Sequence, residues 1–369
     1  MKSLFFYGTL RHVPLLDCVL GRGESVGDFE AAELPGYAAR ASLDGLYPVL
    51  IEAADAVTEG VVVRGITDDE LARLNYYEGG FDYDLKSVRL SSGDEARVYV
   101  PGQGVSAAET LWDFDVWRAK WADMTVWAAR EVMAGYGHLS PDEIAARFPR
   151  IRARAWSKVL AQSGRHGRDV LDGRVEIVSR QQGYVNFFAM EDVVLRHETF
   201  DGGMSEPVDR GVFVSSDAAL VLPYDPVRDR VLLVEQIRMG PVGRDDPVRW
   251  QLEPVAGLVD PGETPADAAR REGLEEANLH FAVLEPVGEC YASPGATTDF
   301  FHMFVGLCDL PDGVAGIGGE VSEGENIRSQ VMEFEALLAM ADDRYIANAP
   351  LGMLTYWLHR HRDRLRSGS

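Results

Sequence analysis

Ala256-Gly257-Leu258-Val259-Asp260-Pro261-Gly262-Glu263-Thr264-Pro265-Ala266-Asp267-Ala268-Ala269-Arg270-Arg271-Glu272-Gly273-Leu274-Glu275-Glu276-Ala277-Asn278-Leu279 decides the fold of the second half of this chain. Gly257 and Gly262 bracket a loop that contains Asp260-Pro261, a turn signal. Thr264 followed by Asp267 forms a capping pair with Pro265 at the first helical position, which predicts a helix from about Pro265 to Ala277. Asn278 stands where that helix should stop, and asparagine tolerates the left-handed backbone used there. Glu272 and Glu276 are four residues apart and share a face, with Glu275 beside them. An acidic run of this kind read alone is a solvated helix face. Here loop, cap and carboxylate spacing agree on something else: carboxylates crowded on one turn repel unless a hard cation such as Mg²⁺, which takes oxygen ligands, neutralises them. Arg271 is placed to reach Glu275 and the loop residue Glu263, fixing loop to helix.

The stretch resembles the Nudix box, Gly-x5-Glu-x7-Arg-Glu-U-x-Glu-Glu-x-Gly-U with U apolar, through Gly257, Glu263, Arg271, Glu272, Glu275, Glu276 and Leu279. Gly273 and Asn278 depart from it; the glycine should cost the helix about 1 kcal/mol relative to alanine. Around the box the resemblance narrows to the ADP-ribose pyrophosphatase branch. It is carried by Leu222-Pro223-Tyr224-Asp225-Pro226-Val227-Arg228-Asp229, Glu235-Gln236-Ile237-Arg238, Leu252-Glu253-Pro254-Val255-Ala256-Gly257 and Ala292-Ser293-Pro294-Gly295. This resemblance implies Mg²⁺-dependent hydrolysis of ADP-ribose to AMP and ribose 5-phosphate, with Mn²⁺ as the alternative ion. The Ala256 carbonyl, Glu272, Glu276 and Glu325 would hold metal, Glu323 would be the catalytic base, and Arg238 and Asp299 would contact substrate. It also implies a homodimer. The alternatives are another nucleoside diphosphate sugar as substrate, or a metabolite-sensing protein.

Residues 1–100 alternate short β-like runs with turns: Leu4-Phe5-Phe6-Tyr7, Gly60-Val61-Val62-Val63 and Ala96-Arg97-Val98-Tyr99-Val100 read as strands, and Thr67 to Tyr77 as a helix capped by Thr67. A small β-barrel or mixed sheet follows. Tyr7-Gly8-Thr9-Leu10-Arg11, Tyr47-Pro48 and Leu74-Asn75-Tyr76-Tyr77-Glu78-Gly79 followed by Tyr83 resemble the γ-glutamylcyclotransferase-like family. The resemblance implies that backbone amides near Gly8, Thr9 and Leu10 receive a substrate carboxylate. It also implies that Glu78 is the general acid and base for cyclisation to 5-oxoproline, although Asn75 and Asp84 depart from the family pattern.

Residues 103–170 read as helical. Trp112, Trp117, Trp121 and Trp127 recur at near-helical spacing and read as packing. Arg147, Arg150, Arg152 and Arg154 read as solvated helix charge, and residues 163–168 as a flexible linker. Beyond it, Val175–Val178, Phe187–Met190, Val193 onward, Asp217–Pro223 and Val231–Gln236 read as strands, and the last helix as about Pro350 to Leu365.

The expected organisation is α+β in three parts. Residues 1–102 form a cyclotransferase-like small β-barrel with helices, 103–170 a helical linker, and 171–369 a Nudix α/β/α sandwich. The arrangement resembles bacterial proteins named for tellurite resistance. Charge separates the parts: residues 1–100 hold nine basic and 17 acidic side chains, 101–170 ten and eight, 171–369 17 and 34. The net charge of −23 argues against nucleic acid as a partner. Three scattered cysteines and the absence of a long apolar run argue for a cytoplasmic protein without a membrane span.

Overall fold

A computed structural model describes residues 2–22, 29–43, 46–79, 83–102, 106–164, 173–319 and 324–367. Two compact units divide the chain, Met1–Gly211 and Val212–Ser369.

The first unit opens with β1 (Lys2–Phe6), a 3-10 turn at Thr9–Arg11 and α1 (Val13–Leu20). The long strands β2 (Phe29–Ser42) and β3 (Pro48–Ile66) follow, then α2 (Asp68–Gly79), β4 (Tyr83–Arg89), β5 (Glu95–Pro101) and β6 (Ala107–Leu111). Their sheet runs β4-β5-β1-β3-β2-β6. Among the described residues no pairing joins β4 to β6, so the expected small barrel is an open six-stranded sheet. Its outer strand β6 meets β2 only at Arg40 opposite Leu111 and Ser42 opposite Ala107, too short a ladder to carry the sheet round. The helical reading of 103–170 also needs correcting at Ala107–Leu111, which this pairing makes a strand.

Helices α3 (Phe114–Ala134) and α4 (Pro141–Gly164) pack into the same core as β1, α1 and α2: Trp117, Ala128, Ala129 and Val132 lie with Leu4, Leu15, Leu16 and Leu74. Thr67 caps α2 and Ser140 caps α4, each through a reciprocal bond with the glutamate three residues on. The basic run on α4 is not all solvated. Arg154 is 2% exposed, because its helical position coincides with the buried face that carries Ile151 and Ala155. It is paired with Glu131 of α3, Nε to Oε1 at 3.0 Å, and donates to the Phe187 carbonyl at 2.7 Å.

Next comes a three-stranded sheet of β7 (Val175–Val185), β8 (Ala189–His197) and β9 (Val208–Val214), the last of which runs across the division between the units. Phe187 and Phe188, expected in a strand, lie in the β7–β8 turn, where Asn186 N donates to Phe188 O. Of the expected linker, residues 165–168 lie outside the described residues.

The second unit is built round β10 (Ala218–Asp225), which pairs with β11 (Arg230–Ile237), β13 (Val255–Leu258) and β15 (Phe300–Leu307). The remaining elements are α5 (Met239–Gly243), β12 (Trp250–Glu253), α6 (Pro265–Ala277), β14 (Val283–Tyr291), β16 (Ile317–Gly318), β17 (Ile327–Glu333), α7 (Phe334–Asp342) and α8 (Ala349–Ser367). The main path of the sheet is β14-β15-β10-β11-β17-β16. Leu220, Leu222 and Tyr224 face Phe334 and Leu337 of α7 and Leu351, Leu354 and Leu358 of α8. Alternation sends Val221 to the opposite face, where Phe281 and α6 pack. Helices therefore cover both faces, which is why β10 is apolar without a polar side; each leucine buried this way contributes roughly 1.5–3 kcal/mol. Among the described residues no helix is long and apolar enough to cross a membrane.

Candidate active sites

Helix α6 forms where the local signals place it. Thr264 Oγ1 accepts from Asp267 N at 3.2 Å and donates to Asp267 Oδ2 at 2.7 Å. Asn278 closes the helix at φ 52°, ψ 41°, and Leu279 N reaches back to Gly273 O at 2.9 Å. Gly273 has a packing reason: a Cβ there would fall 2.3 Å from the Phe281 ring.

Arg271 ties the preceding loop to α6. It grips Glu263 with Nε at 2.9 Å and Nη2 at 3.1 Å, donates to the Leu258 carbonyl at 2.9 Å, and meets Glu272 at 2.5 Å and Glu275 at 3.0 Å. Two backbone positions let the helix come close. A Cβ on Gly257 would lie 1.8 Å from Glu272 Oε1, and one on Gly318 would lie 2.3 Å from the Glu276 carbonyl oxygen.

Glu276 is 2% exposed and accepts from Ala256 N at 3.1 Å. In an antiparallel ladder a residue's N–H and C=O face the same edge, so the Ala256 carbonyl is directed to the same side as that amide. Burial pushes the Glu276 carboxyl up to about 8, with Glu272 and Glu325 adding to the rise and the Ala256 amide opposing it. Burial likewise raises Glu272 to about 7, against the pull of Arg271, with Glu275 and Glu325 pushing the same way. Glu272, Glu276 and Glu325 thus feel one another across the space beside β13 and α6. Glu323 lies outside the described residues.

This donor set fits a hard divalent cation: buried oxygen ligands, short of positive charge, beside a backbone carbonyl. Among the described residues no three carboxylate, histidine or cysteine groups already stand at ligand spacing; Glu272 is instead turned to Arg271. Arg238, at the end of β11, donates to Glu253 Oε2 at 2.8 Å and lies near enough to lower Glu276. Asp299, in the β14–β15 connection, is held by Thr297 Oγ1 at 2.8 Å, and no described contact joins it to the glutamates. Sequence reasoning assigned no role to Glu253, which is 6% exposed and also takes a bond from Asn348 Nδ2 at 3.0 Å; a charge inside an otherwise apolar Leu-Glu-Pro-Val run was the available signal.

In the first unit Tyr7, Gly8, Thr9, Leu10, Tyr47, Pro48, Glu78 and Tyr83 line one cavity of about 250 Å³. These residues are up to 76 positions apart in sequence, and each motif named above contributes to it. A Cβ on Gly8 would fall 2.6 Å from Pro48 Cγ, and Tyr83 Oη donates to the Pro48 carbonyl at 3.0 Å. Glu78 lies at the C-terminal end of α2, where the helix dipole disfavours a negative charge. Burial pushes its carboxyl up to about 7. The same burial raises Tyr7 well above the usual phenol range, with Tyr83 and Glu78 adding to it. Asn75, which departs from the family pattern, accepts from Tyr99 Oη at 2.7 Å. The other wall of the cavity comes from α3 and α4, where Trp117 and Trp121 were read from sequence as packing and Arg152 as solvated charge.

The NUDIX domain family matches residues 215–350, and the family described as gamma-glutamyl cyclotransferase, AIG2-like, matches residues 4–119. An ADP-ribose pyrophosphatase of Escherichia coli strain K12 is 38% identical over 193 residues, 52% of this chain and 91% of that protein. One from Haemophilus influenzae is 36% identical over 44% of this chain and 75% of that protein. A GDP-mannose pyrophosphatase of Yersinia enterocolitica is 30% identical over 44% and 83%. With 38% identity over 91% of the Escherichia coli relative, and with Arg271, Glu272, Glu275 and Glu276 of the box together on α6, the chain belongs to the Nudix hydrolases, here fused to an N-terminal gamma-glutamyl cyclotransferase, AIG2-like domain.

Proposed function

We propose that the C-terminal unit hydrolyses ADP-ribose to AMP and ribose 5-phosphate. One observation carries this reading: the buried Glu276 and the half-buried Glu272 lie one turn apart on α6 beside the Ala256 amide, and Glu325 acts on both. The Ala256 carbonyl, Glu272, Glu276 and Glu325 would hold Mg²⁺ or Mn²⁺, which when bound supplies charge neutralisation and Lewis acidity at the diphosphate. Arg271 keeps Glu272 oriented through its grip on Glu263. Glu323 takes the proton of the attacking water. Arg238, fixed by Glu253, and Asp299 contact the substrate. The domain division proposed with this function is 1–102, 103–170 and 171–369. A cytoplasmic homodimer is proposed with it, supported by the exposed apolar side chains Val175, Ile177, Val178 and Met190 of β7 and β8.

Release of AMP or GMP from ADP-ribose, GDP-mannose, NADH and ADP-glucose, with and without Mg²⁺, tests the reading. Metal-dependent preference for ADP-ribose supports it; preference for another of the four moves the assignment to that nucleoside diphosphate compound; no turnover of any rejects it in favour of a sensing role.

A second reading belongs to the N-terminal unit, favoured by the position of Glu78 in its walled cavity with no hydrogen-bond partner among the described residues. A γ-glutamyl amide bound there, its carboxylate at the amides of Gly8, Thr9 and Leu10, would cyclise. The α-amino nitrogen attacks the γ-carbonyl carbon, the amide C–N bond breaks, and Glu78 carries the proton from the attacking nitrogen to the departing amine. The products are 5-oxoproline and the free amine. Release of 5-oxoproline by the wild-type chain, lost in Glu78→Gln, is the test.

A further inference from the structure

Glu253 ends β12 opposite Val234 of β11 and is 6% exposed. A carboxylate in such a place is costly unless its oxygens find donors. Both do. Oε2 accepts from Arg238 Nε at 2.8 Å, and Oε1 accepts from Asn348 Nδ2 at 3.0 Å. The two donors stand 15 positions before Glu253 and 95 after it in the chain.

Asn348 is itself fixed. Its Oδ1 accepts from Leu351 N at 2.9 Å, which caps the start of α8, and Leu351 lies in the core with Leu354. With that oxygen held by the helix, the amide nitrogen is the end left for Glu253. A flipped amide would set oxygen against a carboxylate oxygen and lose the cap as well.

The Arg238 end is different. In the first unit a buried ion pair is closed on both sides: the side chains of Arg154 and Glu131 are 1% and 9% exposed. Here the side chain of Glu253 is 8% exposed and that of Arg238 40%. Glu253 takes only Nε, and among the described residues Nη1 and Nη2 have no hydrogen-bond partner. Arg238 is near enough to act on Glu276, so its guanidinium stands close to the carboxylates of α6. A guanidinium pinned at Nε keeps its Nη1–Nη2 edge, a two-donor fork that matches a phosphate.

We propose that Glu253 is a positioning residue for the nucleotide: held by Asn348, it pins Arg238 at Nε and leaves the Nη1–Nη2 edge as a fork for the diphosphate. The proposal rests on the Nudix reading above and deepens it. Glu253 and the cap of α8 govern substrate affinity through Arg238, without touching substrate themselves.

The test uses the full chain. Affinity for ADP-ribose is measured by calorimetry in a Glu272→Gln background with Mg²⁺, where turnover should be lost. KM and kcat are measured with Glu272 intact. Arg238→Ala and Glu253→Gln should each weaken ADP-ribose binding about tenfold. Combined, they should be no weaker than Arg238→Ala alone, because Glu253 acts through that arginine. Asn348→Ser keeps a cap for α8 but removes the amide donor; it should weaken binding about threefold. In Glu253→Gln and Asn348→Ser the loss should appear in KM, with kcat within about twofold of wild type. A Glu253→Gln loss of the same size with and without Arg238, a loss in kcat at unchanged KM, wild-type affinity in both Glu253→Gln and Asn348→Ser, or no ADP-ribose binding at all overturns the proposal. Failure of the underlying reading is a separate result: the affinities couple as expected, yet the chain with Glu272 intact releases no AMP.

Discussion

The two units bury negative charge in opposite ways. Around α6 the carboxylates are gathered: Glu272 raises Glu276, Glu325 raises both, and Arg271 holds Glu263, Glu272 and Glu275 in a fixed arrangement. In the N-terminal cavity Glu78 is the one carboxylate among the described lining residues, and burial raises it. A gathered set attracts a cation, because several ligands share the cost of leaving water. A solitary carboxyl at about 7 has nothing to bind and is poised instead to gain and lose a proton near neutrality. Where the N-terminal unit buries a strong charge for structure, it pairs it, as with Arg154 and Glu131.

That contrast can be broken in several places. Arg154→Ala leaves Glu131 buried without its partner and should destabilise the N-terminal unit by about 3–5 kcal/mol, read as a drop in its denaturant midpoint; a change near zero would mean that the pair is not holding α3 to α4. Glu276→Gln should lower turnover of the Nudix substrate by roughly 10²–10³-fold with little change in unfolding midpoint. Glu78 should give the N-terminal unit a pH dependence of its own. Its carboxyl is raised in the folded chain, so the folded form holds the proton more tightly than the unfolded one. Stability should then be greatest below the unfolded value of about 4.3 and fall as pH rises towards about 7. Glu78→Gln should flatten that slope between pH 5 and 7.5; an unchanged slope would show that Glu78 is solvated. Mg²⁺ at 100 times its dissociation constant should stabilise the C-terminal unit by about 2.7 kcal/mol in wild type and much less in Glu272→Gln. Thr264→Ala removes the cap of α6 and should cost about 1 kcal/mol, with only a small effect on turnover.

Legibility from sequence divided along the same line. Helix α6, its cap at Thr264, its stop at Asn278 and its loop contact through Arg271 are all determined within 24 residues, and local chemistry suffices to read them. The gathering of Tyr7, Tyr47, Glu78 and Tyr83 was legible only through short motifs resembling a family, because the sheet that joins them is made of non-local pairings. Three features were out of reach. Whether β4 and β6 close a barrel depends on edges that no single segment specifies. Arg154 looked like the other arginines of its run until α3 supplied Glu131 across a 23-residue separation. Trp121 and Phe148 have the periodicity of a core, and periodicity does not reveal that the core stops short of filling its space. The glycine at 273 misled in a smaller way: propensity predicts a cost, but the Phe281 ring takes up the space that a side chain would occupy.

The central claim is that the α6 glutamates form a metal-dependent hydrolytic site for ADP-ribose. The most direct measurement is AMP release from ADP-ribose by the full chain in Mg²⁺, beside Glu272→Gln, with ADP-ribose binding followed in parallel. Metal-dependent turnover by the wild-type chain, lost in Glu272→Gln while ADP-ribose still binds, is the predicted result; turnover undiminished in Glu272→Gln, or indifferent to metal, would contradict it.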